Sequence, residues 1–303
     1  MPRASFHPDD MKIVIYSAAA VVAVGLLLVL RIALSNYLGE RSDFTRWPRS
    51  EVSKHPDKAG IPGLREVIFS APGQPRLAGW YVPSRNRAAV ILVHGTSADR
   101  AGVMTETRIL AAAGFGTLAI DLPGQGASEG HTLWGVKERQ AISTAVDWLS
   151  ERPEVDPTRI GAFGFSMGAY VLTQAAVLDE RIRAVTLAAS PTDVVEKTWV
   201  TSGRWGLLSQ LPQYWALRAS GMPLDMLPKD VIGRIAPRAI FIVNGDLDSI
   251  VPPYMARQLA AAAAGGSTQL WMVAGAHHGD YSRVVPKEYG ERLAGFFHGA
   301  LLN

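Results

Sequence analysis

Apolar positions along this chain fall into one long block and a series of short ones. The long block, Ile13 to Leu30, runs for 18 residues without a charge and is diluted only by Tyr16, Ser17 and Gly25. As a helix it would extend about 27 Å at ~1.5 Å per residue, enough to cross a hydrocarbon core, and Ile32-Ala33-Leu34 lengthen it past Arg31, a side chain able to snorkel. Ala33-Leu34-Ser35 loosely resembles the small-residue cleavage site of a secretory signal peptide. The block is longer than the usual signal-peptide core, so the expectation is an uncleaved membrane anchor over residues 13–34. Nothing in it is amphipathic, as a helix lying on a globular core would be. Residues 1–12 form a short tail, and residues 35–62 are polar, charged and irregular, which predicts a juxtamembrane linker before a globular unit over 63–303.

The short blocks predict strands: Arg65–Ser70, Leu77–Val82, Ala88–Val93, Gly116–Ile120, Arg159–Phe163, Ala184–Ala189, Ala239–Val243 and Gln269–Val273. Several are apolar throughout, as strands covered on both faces are. Helical periodicity alternates with them; between Val136 and Ser150 it aligns Ile142, Val146 and Leu149. Strand alternating with helix predicts a mostly parallel sheet wrapped by helices, an α/β architecture. No internal repeat or low-complexity segment interrupts it beyond the alanine run at 260–264.

Composition narrows the chemistry. The chain is 48% hydrophobic over 303 residues, so one large core is feasible. Its net charge is +3, and Arg31 to Arg87 alone carries ten Lys/Arg against five Asp/Glu, leaving the remainder slightly acidic. A surplus beside an apolar block suits anionic lipid head groups; it does not make a nucleic-acid groove. Arg3 and Lys12 precede the block whereas Arg31, Arg41, Arg46 and Arg49 follow it, which leans towards a cytoplasmic globular domain, although a large domain can override that bias. There are no cysteines, so disulfides, thiolate metal sites and a cysteine nucleophile are excluded. No histidine pair shows metal-ligand spacing, so no metal or other cofactor is expected. Oligomeric state leaves no mark on the sequence.

One pentad carries candidate chemistry: Gly164-Phe165-Ser166-Met167-Gly168, between a predicted strand and a predicted helix. Gly-x-Ser-x-Gly in that context is a nucleophile elbow, which holds a serine hydroxyl proud of a sheet. The pentad alone arises by accident in roughly one chain in five of this composition, so its surroundings decide. His94-Gly95-Thr96 follows the third strand, Asp121-Leu122-Pro123-Gly124-Gln125-Gly126-Ala127-Ser128 the fourth, the elbow the fifth, Gly245-Asp246-Leu247-Asp248 the seventh and Gly275-Ala276-His277-His278-Gly279-Asp280 the eighth. Over Arg65 to His298 this series resembles the α/β-hydrolase superfamily, with similarity to its esterase and serine aminopeptidase-like members.

The resemblance implies an eight-stranded, mostly parallel sheet flanked by helices, with a small helical lid, behind the N-terminal transmembrane helix. It also implies a Ser-Asp-His order of catalytic groups. A serine hydroxyl needs an imidazole to take its proton, and the imidazole needs a carboxylate to hold its tautomer. By resemblance these are Ser166, Asp248 and His278, with Asp246 and His277 as rivals, and the oxyanion-hole amides belong to Met167 and Thr96. His94 reads as a loop-shaping residue. The chain departs from many lipases and esterases in lacking a His-Gly-Gly-Gly run.

Pro191 to Pro237 corresponds to the lid. It carries Trp199, Trp205, Tyr214, Trp215, Met222 and Met226, which either line an apolar acyl pocket or pack the cap onto the core; Trp134 poses the same choice. The expectation is a membrane-anchored serine hydrolase cleaving a carboxylic ester, thioester or related small acyl compound through an acyl-enzyme, its membrane-lipid contact made by the N-terminal helix. Alternatives are a peptidase resembling the serine aminopeptidases, a cofactor-free perhydrolase or lyase, and a non-catalytic membrane-tethered binding protein.

Overall fold

Helix α1 spans Pro8–Ser42 and contains a candidate membrane span, Met11–Ser35, of 25 residues, whose apolar window has mean hydropathy 2.8. The computed structural model describes residues 8–42, 50, 55–201, 206–219, 222–263, 265 and 267–303. Eight strands follow α1: β1 Arg65–Phe69, β2 Leu77–Val82, β3 Ala89–Val93, β4 Gly116–Ile120, β5 Ile160–Phe165, β6 Ile182–Ala188, β7 Ala239–Gly245 and β8 Thr268–Val273. They form one sheet in the order β1-β2-β4-β3-β5-β6-β7-β8. β2 runs antiparallel to both β1 and β4, and every other pairing is parallel.

The parallel strands require crossovers, to which α2 Met104–Ala112, α3 Val136–Ser150, α4 Met167–Leu178 and α8 Pro253–Ala262 contribute, and after β8 the single turn α9 Tyr281–Val284 leads into the closing helix α10 Pro286–Leu301. Because the chain crosses on both sides, β3 and β4 are buried along their whole length, which is why they read as unbroken apolar runs. One face of the sheet, through Ile91 and Leu118, packs against Ile142, Val146 and Leu149 of α3, Val171 and Leu172 of α4 and Leu259 of α8. The other, through Val90 and Leu92, packs against Leu110 of α2 and Leu293 and Phe297 of α10. This is the three-layer α/β-hydrolase architecture that the resemblance implies.

Two features refine the expected boundaries. Helix α1 continues to Ser42, well past Leu34, with no proline to stop it. Farther on, Ala59 and Ile61 are buried in the same cluster as Leu110, and Arg108 Nη2 donates to the Ala59 carbonyl at 2.8 Å. The last turn of the expected linker is thus docked on the globular unit.

Between β6 and β7 the chain leaves the sheet to build α5 Val194–Thr201, α6 Leu207–Ala219, α7 Pro228–Val231 and a 3₁₀ turn, Ile232–Ile235. Helix α1 packs against α6 of this insertion.

Candidate active site

Ser166 occupies the sharp turn from β5 into α4, with φ 53° and ψ −116°. Such backbone is strained for a residue with a Cβ and persists only where the surroundings impose it. They do so by close approach. A Cβ on Gly164 would lie 2.6 Å from the Gly168 carbonyl oxygen, and one on Gly168 would lie 2.3 Å from the Val93 carbonyl oxygen. The two elbow glycines let the start of α4 press onto the end of β3. The Ser166 N–H donates to Ala188 at the end of β6 (2.8 Å), and its carbonyl accepts from Tyr170 (3.0 Å).

The loop after β8 brings His278 to this turn. Its Nε2 lies 3.1 Å from Ser166 Oγ, and its Nδ1 lies 2.8 Å from Asp248 Oδ2. A carboxylate only accepts, so Nδ1 carries the proton and Nε2 presents a lone pair to the hydroxyl. Asp248 is buried, and its other oxygen accepts the Ile250 and Val251 amides at 2.9 and 2.8 Å. The rivals point elsewhere. Asp246 Oδ1 accepts the Gly275 amide at 2.7 Å, while His277 Nδ1 donates to the Leu247 carbonyl at 3.1 Å. These two residues tie the β7 and β8 loops together. Gly245 permits it, since a Cβ there would meet the Ala276 carbonyl oxygen at 2.1 Å.

Phe165 braces the loops after β3 and β8, a role that sequence reasoning missed. Its ring lies 4.9 Å from the His278 ring, and a Cβ on Gly95 or Gly279 would come within 3.1 or 2.6 Å of it. Gly95 also approaches Ser166, where an added Cβ would sit 3.3 Å from the serine Cβ. The neighbouring Thr96 amide and the Met167 amide at the start of α4 make no hydrogen bond among the described residues. Met167 sits where the helix dipole is positive.

The histidine before them is structural. Burial pushes His94 below the ordinary histidine range, and the neutral ring donates from Nδ1 to the Gly95 carbonyl (2.8 Å) and accepts the Leu122 amide on Nε2 (3.2 Å). It pins the β3 loop to the β4 loop. That loop is itself secured by Asp121, which accepts the Arg100 amide at 2.7 Å, Arg100 Nη1 at 2.9 Å and the Ala127 amide at 2.8 Å. Arg100 is fully buried and also reaches Glu66. Two glycines at positive φ, Gly124 (77°) and Gly126 (55°), were the available sign that this loop folds back on its own carboxylate.

The tryptophans divide. Trp134, at φ 54° and 5% exposed, packs against Tyr170 one turn beyond Ser166; the Glu138 carboxylate holds its loop by accepting from Thr132 Oγ1 and the Leu133 and Gly135 amides. Met222 is buried too. Trp199 and Trp215 are exposed instead, at 39% and 63%, and so do not pack the cap onto the core. Trp205 lies outside the described residues. Tyr254 Oη donates to Glu196 at 2.9 Å, tying α5 to the first turn of α8, and burial pushes the Tyr254 hydroxyl up to about 12.

The sequence profile of the X-Pro dipeptidyl-peptidase (S15) family matches residues 45–230. An uncharacterized protein of Mycobacterium tuberculosis is 30% identical over 209 residues, covering 67% of this chain and 69% of that protein. A polyketide transferase of Stachybotrys chlorohalonatus is 32% identical over 124 residues, 39% of this chain and 42% of its own length. Among solved structures, a Pyrococcus furiosus esterase superposes with a TM-score of 0.71 over 85% of this chain and 100% of the other, at 21% identity, a likeness of fold.

Proposed function

The chain belongs to the X-Pro dipeptidyl-peptidase (S15) family and is a hydrolase of the α/β-hydrolase type; on that premise we propose that it is a membrane-anchored serine hydrolase whose catalytic groups are Ser166, His278 and Asp248. The row Ser166 Oγ, His278 Nε2, His278 Nδ1 and Asp248 Oδ2, with gaps of 3.1 and 2.8 Å, is the observation that carries the reading. In it, Ser166 Oγ attacks the acyl carbon as His278 Nε2 takes its proton, and Asp248 stabilises the imidazolium without itself becoming protonated. The carbonyl oxygen gains charge, and the Met167 and Thr96 amides, without a hydrogen-bond partner among the described residues, are the donors assigned to it. Collapse expels the alcohol or thiol, which takes the proton from Nε2. Water, deprotonated by the same nitrogen, then releases the acid from Ser166.

Carboxylic esters or thioesters are the first substrate class, supported by the apolar insertion beside the site and the esterase fold likeness. Peptide cleavage is the second reading, and the family match favours it. For location, Met11–Ser35 supports a single-pass anchor, with the catalytic domain assigned to the cytoplasmic side on the arginines that follow it. A fluorophosphonate probe tests the chemistry: the intact chain is labelled, whereas Ser166→Ala and heat-denatured protein are not. Labelling that persists in Ser166→Ala sinks the assignment. Comparing p-nitrophenyl esters with Xaa-Pro anilides then separates the two substrate readings.

A further inference from the structure

Helix α6 carries Leu207, Leu211 and Trp215 at intervals of four, and these are 61%, 45% and 63% exposed. Residues so spaced share one side of a helix. Ala216 and Leu217 are buried, so the helix is already docked by another side and the apolar stripe is left over. On α5, Trp199 and Val200 add exposed apolar surface to the same insertion. A contiguous exposed patch of this kind marks an interaction surface.

Its neighbour identifies the partner. Helix α6 packs against α1. Along α1, positions 11–31 are exposed, whereas Ile32, Ala33 and Tyr37 are half-buried. The contact with the globular unit thus falls at the end of the apolar stretch, where a spanning helix leaves the hydrocarbon. The side chains there suit that depth: Trp215 beside Tyr214, with ring centroids 6.0 Å apart, and exposed Arg31 and Arg218 able to reach phosphates.

We infer that the α5–α6 insertion is a second membrane contact, in which Leu207, Leu211 and Trp215 enter the boundary between head groups and acyl chains, so that the site receives an acyl substrate dissolved in the bilayer. The inference rests on the anchor reading above and deepens it. Helix α5 makes the connection to the site: Glu196 holds Tyr254, which packs against the Ala189, Val251 and Met255 cluster, as does Phe165, whose ring lies against His278.

The absence of cysteine makes the test direct. Single cysteines are placed in the full chain at Leu211 or Trp215, at Leu27 within the anchor and at exposed Leu178 at the far end of α4. Each is labelled with an environment-sensitive fluorophore, and the protein is reconstituted in phosphatidylcholine–phosphatidylglycerol nanodiscs. Labels at Leu211 and Trp215 should be quenched severalfold by lipids bearing a nitroxide near the head group, the Leu27 label by lipids bearing one deep in the chain, and the Leu178 label by neither. Quenching at Leu27 but not on α6 overturns the inference while leaving the anchor intact. No quenching at Leu27 removes both. An α6 label shielded from water but not quenched by lipid means that a protein surface covers the stripe, which also overturns it. As a second readout, Leu211→Gln with Trp215→Gln should cut hydrolysis of a bilayer-dissolved long-chain ester about tenfold and leave a water-soluble short-chain ester unchanged. An equal effect on both is the contrary result.

Discussion

Asp246 and Asp248 stand two residues apart in one loop, and only one of them meets an imidazole. Asp248→Asn should lower kcat on a short-chain p-nitrophenyl ester by a factor on the order of 10⁴, because an amide at that position no longer favours the productive tautomer. Asp246→Asn keeps an acceptor for the Gly275 amide and should retain activity within a few fold. Likewise His278→Ala should be inactive while His277→Ala turns over. The reverse ranking in either pair would discard the assignment. Local sequence could not have settled these choices, since the partner of Asp248 lies 30 residues away and its approach depends on the β7–β8 packing; family resemblance carried them. The serine was different, because the elbow's strand, turn and helix are contiguous. His94 supplies a pH signature. Its folded pKa is depressed by burial, so below the unfolded value of 6.5 the unfolded chain binds a proton that the folded chain refuses. Stability therefore falls as pH drops below that value, by up to about 1.4 kcal/mol per pH unit from this group, until the folded pKa is reached. His94→Gln should be the less stable protein at pH 8, and urea titrations should show the gap narrowing towards acid. A gap independent of pH would mean that His94 takes up its proton in the folded chain as readily as in the unfolded one.

At the scale of elements, glycines that look alike in sequence do opposite things. Gly168→Ala places a methyl against the Val93 carbonyl and should cost at least about 3 kcal/mol, since neither α4 nor β3 can retreat without moving the elbow. Gly295→Ala lies within α10 with open space around it and should stabilise by about 0.5–1 kcal/mol. Urea midpoints measure both, and equal shifts would contradict the packing described for the elbow. The central strands were legible because burial on two faces writes an uninterrupted apolar run, and α3 because Ile142, Val146 and Leu149 repeat on one face. Helix α1 was legible only as far as its apolar stretch. Its continuation to Ser42 rests on residues that hydropathy reads as linker, and its contact with α6 joins segments nearly two hundred positions apart. The antiparallel placement of β2 between β1 and β4 likewise has no local signal.

For the whole molecule, the decisive measurement concerns the first helix. The full chain should remain in membranes washed with alkaline carbonate, and mass spectrometry should find its N-terminus ahead of Ile13. A mature chain beginning near Ser35, released by the same wash, would replace the anchor with a signal peptide. The contact between α1 and α6 has a further consequence. On the anchor proposed above, a catalytic unit joined to it through the insertion would be held to one side of the membrane. It would sample one leaflet by lateral diffusion and return its products there. Acyl compounds in the opposite leaflet would reach it only after they flip, so turnover in a sealed compartment would be limited by transbilayer exchange once the facing leaflet is spent.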